Sequence, residues 1–238
     1  MKNVAVIFAG GSGKRMNTKG RPKQFLELHG KPILIYTLEL FDNHPLIDGI
    51  VVVCLKDWID YLKKMLRKFE INKVVEIVEG GETGQESIYN GLVAAGKHFD
   101  NDSVVLIHDG VRPLIIEQTI TDNINCVREN GNCITCIPAT ETFVVNVGDS
   151  LMIPDRSKSL LARAPQSFIL GEILANHNRA RREKRDDFID SCSLMTYYGD
   201  KMHIVIGPTE NIKITTPTDF FVFRAMVEVH ENQQIFGF

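Results

Sequence analysis

Apolar residues along this 238-residue chain arrive in short bursts whose period switches repeatedly between two and three to four. Val4 to Phe8 is a continuous apolar run that ends at Gly10, Gly11 and Gly13, the pattern of a buried strand feeding a loop. Pro32 opens PILIYTLELF, apolar at helical spacing, with proline suited to a first turn. A strand follows over 47–55. A helix over 57–69 puts Trp58, Tyr61, Leu62, Met65, Leu66 and Phe69 at helical spacing, with Trp58 read as packing. The alternation continues with a strand over 74–78, a helix over 84–97, a strand over 104–107, a helix over 114–130 stopped by Gly131, and a strand over 134–138.

Strand–helix alternation of this length predicts an α/β, Rossmann-like fold, a mostly parallel sheet with helices on both faces. Ligands of such sheets sit beyond the carboxyl ends of the strands. Loops 10–23, 80–87 and 109–112 therefore converge on one cleft. Residues 139–165 break the alternation, and the turn pair Gly148-Asp149 between 141–147 and 151–153 predicts a hairpin arm. Helix returns over 170–185, short strands over 202–206 and 212–215, and a last helix over 217–230 before a tail over 232–238. Without a repeat, low-complexity tract or linker, residues 1–238 read as a single domain carrying an arm.

Composition narrows the function classes. Hydrophobic residues make up 44% and charged residues 24%, ordinary for a globular chain, and the net charge of −3 argues against nucleic acid as a partner. The apolar stretches are too short to cross a bilayer, and Met1-Lys2-Asn3 leads straight into a strand. The expectation is a cytoplasmic protein without membrane insertion. Five scattered cysteines do not suggest a disulfide framework; Cys133-x-x-Cys136 lies in an alternating strand with no second Cys/His pair, and reads as buried thiols.

The chemistry concentrates after the first strand. Lys14, Arg15, Lys19, Arg21 and Lys23 share the glycine loop, and backbone N–H groups exposed by glycine together with cations fit a polyphosphate. The loop is neither a Walker loop, which needs Gly-Lys-Ser/Thr, nor a dinucleotide fingerprint, since Met16 stands where the third glycine belongs. A nucleoside triphosphate is the expected ligand. Asp109, following the strand VVLI and His108, is placed to hold a divalent cation through oxygen, or to cap its loop. Gly81, Glu82 and Ser87 by themselves read as a turn leading into a capped helix. Lys213, between Ile212 and Ile214, faces away from them toward a pocket.

AGGSGKRM followed by PKQFLEL, then HDGVRP, APQSF and NIKITTP, resembles the cytidylyltransferases that act on methylerythritol phosphate and ribitol phosphate, over nearly the whole chain. The resemblance implies a glycosyltransferase-A-like nucleotidyltransferase that moves CMP from CTP to a polyol phosphate with Mg²⁺. KPILIYTLE and PKQFLEL look closer to the ribitol-phosphate branch, with methylerythritol phosphate the alternative. It implies catalysis by Arg15, Lys23 and Lys213, and nucleotide binding by Ala9, Gly10, Gly11, Gly13, Gly81, Glu82, Ser87, Asp109 and Gly110. Acceptor binding falls to Arg112, Thr142, Arg156, Asp190 and Thr215, and metal binding to Asp109. The arm implies a homodimer in which Arg156 reaches the partner's site. Two departures stand out: Gly84 where relatives commonly carry arginine, and Ala164 where they often carry threonine. Two other readings share the fold, a nucleotide-sugar glycosyltransferase and a non-catalytic nucleotide sensor. The first lacks its Asp-x-Asp pair here, and the second does not require both Lys23 and Lys213.

Overall fold

The computed structural model describes residues 1–11 and 20–236. A strand, β1 (Asn3–Ala9), leads through a small hairpin, β2 (Glu27–Leu28) and β3 (Lys31–Pro32), into α1 (Ile33–Asp42). Then come β4 (Gly49–Cys54), α2 (Ile59–Lys68), β5 (Val74–Glu79), α3 (Gly84–His98), β6 (Val104–Asp109), α4 (Glu117–Asn130) and β7 (Asn132–Pro138). The arm hairpin is β8 (Val145–Val147) with β9 (Ser150–Met152). The chain closes with β10 (Leu160–Ile169), α5 (Leu170–Arg182), α6 (Ser191–Tyr197), β11 (Ile204–Ile206) and α7 (Pro217–Phe236).

Seven strands form one sheet in the order β11-β7-β10-β6-β1-β4-β5. Every neighbouring pair is parallel except those of β10, which runs antiparallel to both β6 and β7. The continuous apolar run of β1 has a simple cause, since both its faces are covered. Ala5 and Ile7 pack toward α1, α2 and α4 with Leu38, Phe41, Leu62 and Ile124. Val4 and Val6 pack toward α3, α5 and α6 with Leu92, Ile173 and Leu194. Phe41 and Phe168 are fully buried, one on each side, each stabilising the fold by about 1.5–3 kcal/mol relative to an exposed ring. Trp58 stacks on Phe25 with ring centroids 4.8 Å apart, which fixes α2 beside the turn that follows the glycine loop.

Gly131 stops α4 as its sequence suggests, at φ 84°, its N–H donating to Val127 O at 2.7 Å. Three expectations need correction. Residues 212–215 form no strand; Ile214 N donates to Val111 O at 2.9 Å without a ladder around it. Helix α7 runs to Phe236, not 230. The segment leaving the arm is not all arm, because it re-enters the sheet as β10, a strand that Pro165 and its polar neighbours conceal.

Candidate active site

The carboxyl ends of β1, β5 and β6 open onto a cleft of about 530 Å³. Its walls include Ala9, Gly10 and Gly11 after β1, Gly81 to Gly84 before α3, Asp109 at the end of β6, and Lys23, Lys213 and Thr215 from later in the fold. Arg15 and Gly13, also expected here, lie outside the described residues.

The glycine segment is anchored from below. Gln24 is 1% exposed, and its side-chain amide donates to the carbonyls of Ala9 and Gly11. Donating to those carbonyls ties both backbone segments to one side chain, so Gln24 positions the loop. Sequence reading treated Gln24 only as part of a motif. Arg21, one of the loop's cations, donates to Glu27 and to the Tyr61 hydroxyl. Lys23 is buried and its Nζ donates to Ile214 O at 2.9 Å.

On the opposite wall the turn at Gly81 is built by α3. Thr83 caps the helix by accepting from Glu86 N at 3.1 Å, and Glu86 reaches back to accept from Glu82 N at 2.8 Å. Ser87 Oγ accepts from Gly81 N at 3.0 Å and donates to Thr83 O at 2.9 Å. Its hydroxyl thus shapes the turn, the capped-helix alternative, while still lining the cleft. A β-carbon on Gly81 falls 2.2 Å from Glu86 Cγ, so glycine is required by close approach. Gly84 lines the cleft with no side chain, and Gly110 sits just behind it, where a β-carbon meets Leu34 at 2.7 Å.

Asp109 is the electrostatic centre. It is 5% exposed, accepts from Arg112 Nε at 2.7 Å on Oδ2, and pairs with Lys213 Nζ at 2.5 Å on Oδ1. Burial alone raises its pKa, but the charges of Arg112 and Lys213 outweigh burial and hold it at about 2, so it is ionised at neutral pH. His108 is fully buried and pushed down to about 4, chiefly by desolvation, with its Nε2 3.3 Å from Arg112 O. A neutral, enclosed imidazole is a support, not a base in reach of solvent-borne substrate.

Several expected residues do not line the cleft. Arg112 is buried beneath it, its Nη1 donating to Asn211 O at 2.9 Å, and acts here by fixing Asp109. Asn211 in turn donates to Ala164 O at 2.6 Å. Asp190 caps α6, accepting from Ser193 N at 2.8 Å and from Gln166 at 2.9 Å. Thr142 and Arg156 are exposed on the arm, where Arg156 Nη1 donates to Thr140 O at 3.1 Å. Thr215, which does line the cleft, is held by Asp219, which accepts from the N–H groups of Thr215 and Thr216 at 2.8 and 2.7 Å. Asp219 went unnoticed in the sequence, although Thr-Pro-Thr-Asp at a helix start signals a cap. Cys133 and Cys136 are buried thiols, and no cluster of three metal-ligating side chains occurs among the described residues.

A family model described as 2-C-methyl-D-erythritol 4-phosphate cytidylyltransferase, IspD, matches residues 3–229. A protein of Vibrio parahaemolyticus named ribitol-5-phosphate cytidylyltransferase is 55% identical, covering 99% of this chain and 100% of its own. A protein of Clostridium botulinum named 2-C-methyl-D-erythritol 4-phosphate cytidylyltransferase is 36% identical over 95% of this chain and 98% of its own. The crystal structure of a 4-diphosphocytidyl-2C-methyl-D-erythritol synthase from Anaerococcus prevotii superposes with a TM-score of 0.80 at 29% identity, covering 95% of this chain and 96% of that one.

Proposed function

This chain belongs to the IspD family of cytidylyltransferases, and from that membership we propose that it transfers CMP from CTP to D-ribitol 5-phosphate, giving CDP-ribitol and pyrophosphate. The observation that carries the acceptor is the 55% identity, end to end, with a ribitol-5-phosphate cytidylyltransferase, against 36% with a methylerythritol-phosphate enzyme.

The acceptor phosphate, with a second pKa of about 6, is largely a dianion at neutral pH and needs no general base. One of its oxygens forms the new bond to the α-phosphorus, and the bond from that phosphorus to the β-phosphate bridging oxygen breaks in line. Pyrophosphate leaves with the electron pair. The protein's work is alignment and charge neutralisation. Lys213, half-exposed at the cleft, and Lys23, behind the loop, supply cations, and Arg15 is assigned to the same task. Gly81 and Glu82 accept from the cytosine amino group, where uracil presents a carbonyl.

A Mg²⁺ ion fits Asp109. The carboxylate is ionised, Arg112 fixes one oxygen, and the other is held by a lysine that is 39% exposed and free to turn toward a phosphate. One protein carboxylate with triphosphate oxygens and water satisfies such an ion. When bound, it neutralises charge on the triphosphate.

We also assign the arm to a second copy of this chain. Leu151 and Ile153 are 72% and 66% exposed there, apolar surface that a partner would cover. Arg156 would then enter the partner's site. A single-chain mass by light scattering would remove that assignment. No described helix is long and apolar enough to cross a membrane, and the cytoplasm, where CTP is made, is the proposed compartment.

Pyrophosphate release with CTP, Mg²⁺ and a panel of polyol phosphates tests the reaction. Release with ribitol 5-phosphate, lost when UTP replaces CTP, is expected. Release only with methylerythritol 4-phosphate would transfer the chain to the other branch.

A further inference from the structure

Beyond the cleft residues, Arg163 is a half-buried cation with no anion beside it among the described residues. Arg163 lies in β10 within the irregular stretch between Ala162 and Gln166, where pairing with β7 shifts register. Among the described residues its guanidinium has no hydrogen bond and no ion pair, and its Nε is closed off from solvent. Burial and the neighbouring charge of Arg112 both work against its own charge. A half-buried cation beside a second buried cation is a costly arrangement unless an anion completes it.

Its place in the sheet says which anion. Gln166 of β10 stands opposite Ile107 of β6. Arg163 precedes this paired stretch, on the side of β10 that leads past the end of β6, where Asp109 sits. The contacts agree: Ala164, the next residue, accepts from Asn211, whose carbonyl accepts from the Arg112 that holds Asp109. Across the strand ends, the glycine loop after β1 and the Gly81 turn after β5 lie on one side of Asp109, and β10 lies on the other. CTP occupies the first side, so an anion beyond Asp109 belongs to the co-substrate.

We infer that Arg163 binds the phosphate of the polyol-phosphate acceptor and presents it to the α-phosphate of the nucleotide. This rests on the reaction proposed above. It also accounts for Ala164, which has no hydroxyl to offer, being tolerated in APQSF: the contact is supplied by the preceding side chain.

The test compares the parent with Arg163→Gln and Arg163→Lys. In Arg163→Gln the KM for ribitol 5-phosphate, and its dissociation constant by calorimetry, rise about 10- to 100-fold, the range for a lost charge-assisted hydrogen bond. The KM for CTP stays at the parental value. Lysine restores part of the loss, as a point charge without the guanidinium fork. Thermal melting of ligand-free Arg163→Gln is no lower than the parent's, because an unpaired buried charge has been removed. Parental acceptor KM and affinity in Arg163→Gln would overturn the inference, as would equal weakening of CTP and acceptor. Inorganic phosphate is titrated as a second probe. A parent that turns over no polyol phosphate would therefore sink the reaction, while the titrations would still decide on Arg163.

Discussion

Replacing Arg112 by methionine isolates the interaction on which the candidate site is built. The Arg112 and Asp109 side chains are 9% and 7% exposed and meet at 2.7 Å. Methionine fills most of the volume and removes the charge. Asp109 is then left buried with only a half-exposed lysine, and Asn211 O loses its donor. Breaking a buried pair from one side destabilises by about 3–5 kcal/mol, a large part of a typical total of about 5–15. Acid provides an independent reading. Asp109 sits at about 2 in the fold against 3.8 for an unperturbed aspartate, a difference on the order of 2 kcal/mol. Because the folded value is the lower one, that stabilisation is complete above the unfolded pKa and disappears as pH falls toward 2. Without Arg112 the folded pKa rises, and less stability remains to be lost in acid. Urea melts of the parent, Arg112→Met, Asp109→Asn and the double variant, at neutral pH and at about pH 3, complete the cycle. The double variant is expected to be more stable than the sum of the single losses allows. An Arg112→Met protein within about 1 kcal/mol of the parent at neutral pH would refute the reasoning.

Two further variants probe the walls of the cleft. Lys213→Met should lower kcat by about 10²- to 10³-fold while CTP still binds, because the lysine's work is charge stabilisation in the transition state; unchanged turnover in steady-state kinetics would exclude it. Gly81→Ala drives a methyl into Glu86, displaces the turn and should raise the KM for CTP more than that for the acceptor. Equal KM values in both variant and parent would show that the turn does not read the nucleotide.

Period alone made most of the sheet legible. Strands covered on both sides are unbroken apolar runs, and helices between them carry one apolar stripe, so β1, β4, β6 and the helices around them follow from local sequence. β10 did not, because Arg163, Pro165, Gln166 and Ser167 interrupt its pattern; it is held by neighbours distant in sequence, not by its own propensity. Residues 212–215 alternate like a strand but have no ladder beside them. α6 is a short helix whose start is set by Asp190, which accepts from Ser193 N and from Gln166 across the chain. At the site, Asp109 and the glycine turns were visible as residue types at strand ends, and Lys213 as a lysine between two isoleucines. The burial of Arg112 under Asp109 was not, since it depends on Asn211, far along the chain.

A strand that runs against its neighbours begins where they finish. β10 therefore starts at the rim of the cleft, and so does the hairpin that precedes it: Ala139 N donates to Ser159 O at 3.0 Å, pinning both roots of the arm together beside Pro138 and Leu160. The arm is thus a lever whose fulcrum lies beside the end of β6 that carries Asp109. A force applied to its tip is delivered within a few residues to Arg163, Ala164 and, through Asn211, to Arg112. With parallel topology throughout, the same hairpin would hang from the opposite edge of the sheet and be mechanically deaf to the cleft. Reversing one strand sets the roots of the arm and the surroundings of Asp109 at the same end of the sheet.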